Sequence, residues 1–176
     1  MTRVSGSRRR RSGRNGGIDG WIFAAAGLIV LLIFALPLYE ALRPQPGMAM
    51  PSEGNLHLQY PQTATYNTSP PTSGPHYTQL ARWGIHDKPI VDELQVHNLE
   101  DGGIMVQYNC PTGCEDLVTQ LEGVVRRYDE HVILAPYPDM DARIALTAWE
   151  RMDTLEGFDE ERIVAFIEAY RGKDNH

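Results

Sequence analysis

The chain has 176 residues, a length that predicts one globular domain. Residues 1–20 hold six of its 16 Lys and Arg residues and one of its 23 Asp and Glu residues, which leaves 10 basic and 22 acidic residues and a net charge of −12 for the rest. A domain of this charge repels nucleic-acid phosphates, so DNA and RNA are excluded as its partners.

An apolar segment follows the arginine-rich residues 1–20, which we predict to be a cytoplasmic tail. Trp21 to Leu38 contains no charge and would form a helix about 27 Å long, close to the hydrocarbon thickness of a bilayer. We therefore predict a transmembrane anchor over residues 21–41. Arginines before the span favour a cytoplasmic N-terminus and a domain on the periplasmic or extracellular side of the cell membrane. A cleaved signal peptide is the alternative, but no small-x-small cleavage site follows the segment.

Proline then dominates residues 42–54, which we predict to be an extended stalk because prolines this dense cannot continue a helix. The exported domain is predicted to span residues 55–172. Its early segment Tyr66–Tyr77 (YNTSPPTSGPHY) excludes a helix and predicts a rigid, extended surface loop. Such a loop is a candidate binding surface, formed by Pro70, Pro71, Thr72, Ser73, Gly74, Pro75, His76 and Tyr77 together with Asn98 and Glu100.

The rest of the domain alternates strands and helices. We predict strands at Ile104–Tyr108, His131–Ala135 and Ile144–Trp149, a helix after a capping box at Thr112–Glu115, and a last helix with Asp159 as N-cap. This β-α-β-β-α order behind a loop-rich lobe predicts an α+β fold with its helices on one face of a small sheet. A thioredoxin-like arrangement uses similar elements and is the alternative.

Two cysteines, Cys110 and Cys114, lie in the loop NCPTGC between the first strand and the first helix. In an oxidising compartment a nearby pair predicts a disulfide. Thiol redox chemistry or metal binding is the alternative, because a thiolate in the first turn of a helix is stabilised. The loop resembles the Cys-Pro-x-x-Cys loop of the copper-delivery (SCO) proteins that serve cytochrome oxidase. That resemblance implies copper as cofactor, with a histidine from elsewhere as a further ligand.

Longer segments resemble a bacterial family of membrane-anchored proteins catalogued only as a domain of unknown function. They are YNTSPPTSGPHY, GIHDKPIVDELQVHNLEDGGIMVQY, APYPDMDARIALTAWERMD and FDEERIVAFIEAYRG, within about residues 56–172. The resemblance implies the fold and the membrane placement of the domain, and no activity.

In that family one loop typically reads His-Asn-Leu-Glu-His-Gly-Gly. Here His97 stands at the first histidine position and Asp101 at the second. Side chains four apart on a helical turn face the same way, so His97 and Asp101 can share a metal ion. We therefore predict a metal site from His76, His97 and Glu100 or Asp101. In the simpler interpretation, the histidine rings only bond backbone carbonyls.

Three functions follow from these patterns. The favoured one is a non-enzymatic binding domain, an accessory subunit or partner of a respiratory-type membrane complex. The second is a copper-binding or thiol-redox protein that uses Cys110 and Cys114 with a histidine. The third is a small extracytoplasmic hydrolase, for which the sequence offers no nucleophile beside a recognisable base.

Overall fold

The computed structural model describes residues 19–42, 44–138 and 140–176. The chain divides into two compact units between Pro44 and Gln45. The first contains helix α1 (Asp19–Leu42), whose stretch Trp21–Tyr39 has a mean hydropathy of 2.6 and is long and apolar enough to cross a membrane. The predicted apolar N-terminal helix is thus confirmed, whereas the predicted basic tail falls on residues that are almost all outside the described ranges.

The second unit is a mixed α+β domain, as predicted. Its elements are β1 (Met48–Ala49), β2 (His57–Leu58), β3 (His76–Tyr77), β4 (Gly84–Ile85), α2 (Asp92–Glu100), β5 (Ile104–Tyr108), α3 (Glu115–Val125), β6 (Val132–Pro136), β7 (Ile144–Ala148), β8 (Arg151–Leu155) and α4 (Glu160–Tyr170).

Six strands form the main sheet in the order β1-β8-β7-β5-β6-β4. Strands β4, β6 and β5 run parallel, and β5, β7, β8 and β1 pair antiparallel. The parallel unit β5-α3-β6 and the antiparallel unit β7-β8-α4 meet at the β5–β7 pair. The short strands β2 and β3 form a separate parallel pair.

Helices cover both faces of the main sheet, so the expectation of helices on one face is wrong. On one face, Ile104 and Val106 of β5 pack in a core cluster with residues of α3 and α4. On the other face, Met105 packs with Leu99 of α2. The sequence conceals α2 because this helix buries mainly polar residues: Glu93, Gln95, His97, Asn98 and Glu100. An apolar period of 3.6, the usual signal of a helix, is therefore missing.

Of the two predicted helix starts, that of α4 is confirmed and the capping box of α3 is not. Asp159 is the N-cap of α4, and its carboxylate accepts a hydrogen bond from the Arg162 amide at 3.0 Å. The capping box at Thr112 does not form. Helix α3 begins at Glu115 with Cys114 as its N-cap, and no side chain caps it.

The two proline-rich segments, the predicted surface loop and the predicted stalk, both pack into the domain. Residues 70–74 and His76 and Tyr77 are all buried or nearly so, which corrects the prediction of a surface loop. The Thr72 carbonyl accepts a hydrogen bond from the Glu150 amide, and this bond ties the segment to the β7–β8 turn. The predicted stalk contributes the edge strand β1, which pairs with β8.

Candidate metal centre

The pairing of β2 with β3 sets two histidines side by side. Their register aligns His57 with His76, and neighbouring residues of paired strands project to the same side of a sheet. The His76 side chain is fully buried, whereas the His57 side chain is 45% exposed. The His76 ring keeps Nδ1 at 2.8 Å from the Gly74 carbonyl oxygen, so Nδ1 donates and Nε2 presents its lone pair.

Helix α2 supplies two more groups. His97 and Glu100 are three residues apart and therefore lie on one face of the helix. His97 Nδ1 lies 2.6 Å from the Tyr77 carbonyl oxygen, which leaves its Nε2 free to accept or to ligate. The neighbouring Asn98 fixes the helix in place, because its amide group bonds both the N–H and the carbonyl of Ala81, at 2.8 and 3.0 Å.

These four side chains meet in what we call the inner cluster: His57, His76, His97 and Glu100. One ligand atom from each lies within 4.8 Å of all the others. Glu100 Oε2 lies 3.0 Å from His76 Nε2 and 3.8 Å from His57 Nε2. Three imidazole nitrogens thus surround one carboxylate.

The inner cluster contains polar atoms that have no hydrogen bond within the described part of the chain. Glu100 is fully buried, and neither carboxylate oxygen nor His76 Nε2 has a hydrogen-bond partner there. In the neutral tautomer of His76 that donates its Nδ1–H to Gly74, His76 Nε2 and Glu100 Oε2 both present lone pairs across their 3.0 Å contact. An unpaired buried carboxylate is strongly unfavourable, and a cation among these atoms would offset that cost.

Burial keeps His76 in its neutral form. Desolvation lowers the pKa of His76 below its usual 6.5, and this effect exceeds the opposing effects of the hydrogen bond to the Gly74 carbonyl and of the Glu100 charge. A neutral imidazole with its lone pair turned inward is the form that binds metal ions.

A second group, the outer cluster, consists of His97, Asp101 and His176, and shares His97 with the first. His176 Nε2 lies 2.7 Å from Asp101 Oδ1, which in turn lies 3.8 Å from His97 Nε2. The hydrogen bond to Asp101, with help from Glu100, raises the pKa of His176. The segment before His176 is held by bonds from the Asn175 N–H to the Glu100 carbonyl and from the Gly172 N–H to the Gly102 carbonyl.

The predicted site residues therefore separate into two places. His76, His97, Glu100 and Asp101 come together, as the spacing of the last three on α2 suggested. Cys110 and Cys114 form a disulfide with a Cα–Cα distance of 5.8 Å and belong to neither cluster. The simpler interpretation of the histidines also holds in part, because each of His76 and His97 uses one ring nitrogen on a backbone carbonyl.

Contacts of the predicted binding loop fix its backbone on both sides of Gly74, next to His76. The Ser73 hydroxyl accepts from the Glu53 amide at 3.0 Å, and the Tyr66 hydroxyl donates to the Pro75 carbonyl at 2.6 Å. Gly74 has a φ of +122°, and a Cβ there would lie 3.0 Å from the Tyr66 ring. The loop holds His76 in position instead of presenting a surface.

Sequence reasoning missed His57 and His176. The register of β2 against β3 brings His57 into the inner cluster. The sequence does not reveal this pairing, because strands of two residues have no periodic pattern. His176 arrives because the segment after α4 folds back onto the α2–β5 turn, which no local pattern encodes.

Residues 57–176 match the model of the family described as protein of unknown function, DUF3105. The chain belongs to the DUF3105 family. The matched range contains both histidine clusters, from His57 to His176. No curated protein and no solved structure matched the chain.

Proposed function

We propose that the DUF3105 domain binds one divalent transition-metal ion at the inner cluster. The observation that carries the proposal is the Glu100 carboxylate, which is fully buried, accepts no hydrogen bond from a described residue and faces three imidazole nitrogens. A cation of charge +2 would balance the carboxylate and give each of these lone pairs a partner.

The ligand types select the class of metal. Three imidazole nitrogens with one carboxylate suit Zn²⁺ or Cu²⁺. Mg²⁺ and Ca²⁺ prefer ligand sets made of oxygen alone. Cu⁺ prefers sulfur ligands, and neither cluster contains a sulfur atom. Copper therefore remains a candidate cofactor through the histidines, in its oxidised form.

Two of the ligand–ligand distances are close to those around an ion of this class, and all of them are below 4.8 Å. Ligands about 2.1 Å from a tetrahedral ion lie about 3.4 Å from one another. The contacts of Glu100 with His76 and His57, at 3.0 and 3.8 Å, bracket that value. The bonds from His76 Nδ1 and His97 Nδ1 to backbone carbonyls preset the ring orientations, so little ordering remains when the ion binds.

Helix α1 supports a tethered version of this function. We infer that α1 anchors the domain at a membrane and that the arginines before it keep the N-terminus cytoplasmic, which would put the domain on the periplasmic or extracellular side. A metal-binding domain held at the membrane surface suits the service of an integral membrane complex of respiratory type. The tether and the cluster support this role, and the partner stays a prediction.

The two alternative functions have less support. A copper site that uses Cys110 and Cys114 would need both thiols, and the two sulfurs are bonded to each other. A hydrolase would need a nucleophile or an activated water, for which the inner cluster offers one route only, a water on the bound metal ion.

The test is metal stoichiometry on the full chain purified in detergent, stripped with a chelator and dialysed against Zn²⁺ or Cu²⁺. We expect one tightly held ion per chain, and its loss in His76→Ala and in His97→Ala. His86→Ala is the matched control, because His86 is a histidine outside both clusters whose Nε2 contacts the Arg82 carbonyl at 2.6 Å. Cys110→Ser should also keep the ion.

Two results would overturn the proposal. The first is a chain that holds no ion after dialysis. The second is copper that binds only after reduction and is lost in Cys110→Ser, which would move the site to the cysteines.

A further inference from the structure

The outer cluster is more accessible than the inner cluster, and it shares one ligand with it. The side chains of His176 and Asp101 are 47% and 27% exposed, whereas those of His76 and Glu100 are fully buried. In the inner cluster only His57, with a side chain 45% exposed, is comparably open, so solvent reaches two of the three outer ligands but one side of the inner cluster.

The shared ligand is His97, and it can serve only one ion at a time. Its Nδ1 is engaged with the Tyr77 carbonyl, so Nε2 is its single metal-binding atom. Full occupancy of both clusters by two ions is thereby excluded. An ion that has the complete ligand set of one cluster therefore leaves the other cluster without His97.

The two clusters are also adjacent, because Glu100 lies between their histidines. Glu100 Oε2 lies 3.0 Å from His76 Nε2 on the inner side and 3.5 Å from His176 Nδ1 on the outer side. An ion held by His97, Asp101 and His176 can thus exchange the last two ligands for Glu100, His76 and His57 without releasing His97. Each step replaces one ligand by a neighbour a few ångströms away, so the ion is never without protein ligands.

From these contacts we infer that His97, Asp101 and His176 form a loading site, through which a divalent transition-metal ion enters and leaves the inner cluster. This inference depends on the proposed function, because it describes the entry route to the same centre. The carboxylate of Asp101 attracts the cation at the surface, and His176 supplies a nitrogen ligand on a segment attached to the end of α2.

A loading site has a kinetic signature that a permanent ligand lacks. Removal of a route slows entry and exit by the same factor and leaves the equilibrium constant unchanged, since only the barrier between free and bound ion changes. Removal of a permanent ligand instead speeds dissociation and weakens binding.

The experiment is stopped-flow binding of Co²⁺, followed by its d–d absorption, to the full chain in detergent. The variant is the double change Asp101→Asn with His176→Ala. The matched control is Asp87→Asn with His86→Ala, which removes one acid and one histidine elsewhere on the domain. We expect the association and dissociation rates of the test variant each to fall by about tenfold, with the dissociation constant unchanged within about twofold and the control like the wild type.

The possible outcomes separate the two proposals. If the unmodified protein binds no Co²⁺, the proposed function itself fails. If the protein binds Co²⁺ and the test variant loads at the wild-type rate, the loading site is refuted and the inner cluster stands. Faster dissociation with weaker binding in the variant would also refute it, because Asp101 or His176 would then be a permanent ligand.

Discussion

The substitution Glu100→Gln tests the electrostatic reasoning directly, because it removes the buried charge and keeps the shape of the side chain. Without metal, the wild-type protein holds this carboxylate fully buried with no hydrogen bond from any described residue. A glutamine amide can instead donate to His76 Nε2, which lies 3.0 Å from Glu100 Oε2. We therefore expect the metal-free variant to be more stable than the metal-free wild type.

The size of the effect follows from two contributions. The unsatisfied buried group costs on the order of 1–3 kcal/mol, and the new hydrogen bond adds about 1 kcal/mol. For a domain of this size, about 1 kcal/mol corresponds to roughly 3 °C in Tm, so the combined gain of about 2–4 kcal/mol should raise the Tm of the metal-free variant by roughly 6–12 °C.

Added metal should stabilise the wild type more than the Glu100→Gln variant. An ion present at a hundred times its Kd stabilises the wild type by about 2.7 kcal/mol. If loss of the charged ligand weakens binding by about a hundredfold, the same ion concentration adds only about 0.4 kcal/mol to the variant. The wild type should thus gain about 8 °C from metal and the variant about 1 °C.

The assay is thermal unfolding of the full chain in detergent, followed by tryptophan fluorescence, in excess chelator and in excess Zn²⁺. Trp83 and Trp149 pack against the core cluster beside α2 and so report on this region. Glu93→Gln is the matched control: Glu93 is also a buried carboxylate of α2, but it accepts a hydrogen bond from the Ala64 amide at 2.9 Å. We expect that change to lower Tm slightly and to leave the metal response intact.

One result would refute the reasoning. If Glu100→Gln destabilises the metal-free protein by about 3–5 kcal/mol, Glu100 was paired with a protonated His76, and the cluster is an ion pair instead of a metal centre.

Three further predictions concern pH, the disulfide and a close backbone approach. Burial lowers the pKa of His76 below 6.5, whereas the pKa of His176 is raised and acts in the opposite sense, so the test uses metal-free His176→Ala. In that variant the contribution of His76 should be full above about pH 6.5 and stability should fall as the pH drops toward the folded pKa; urea midpoints that rise on acidification would contradict this. Cys110→Ser opens the disulfide loop to Cys114, and urea unfolding should show a loss of about 2 kcal/mol, while a changed Zn²⁺ affinity would argue against separate sites. Gly103→Ala would place a Cβ 2.3 Å from the Asn98 carbonyl oxygen and should lower Tm sharply. The control is Gly123→Ala in α3, where a Cβ has nothing within 4 Å and should raise stability by about 0.5–1 kcal/mol. Equal Tm shifts in the two variants would show that the backbone at residue 103 can move to accommodate the methyl group.

The sequence by itself determined the elements whose signals are local. The uncharged run from Trp21 predicted α1, and the apolar periods of β5, β6, β7, α3 and α4 predicted the alternating order of the domain. These signals are readable because each element buries an apolar face or crosses an apolar phase. Strand β8 (RMDTL) was missed because it lacks such a pattern.

The spacing on α2 also determined part of the candidate site. His97, Glu100 and Asp101 lie within one turn of each other, so any helix over this segment brings them together. His76 was identified as their partner from the rigid loop that precedes it.

Only the tertiary structure decided the rest of the site. The register of β2 against β3 brings in His57, and the fold-back of the segment after α4 brings in His176. Burial of Glu100 without a hydrogen bond is likewise a property of packing, since the same residue on an exposed helix would be solvated. Local sequence specifies which side chains can ligate a metal ion, but contacts between residues distant in the chain decide which of them meet and whether water reaches them.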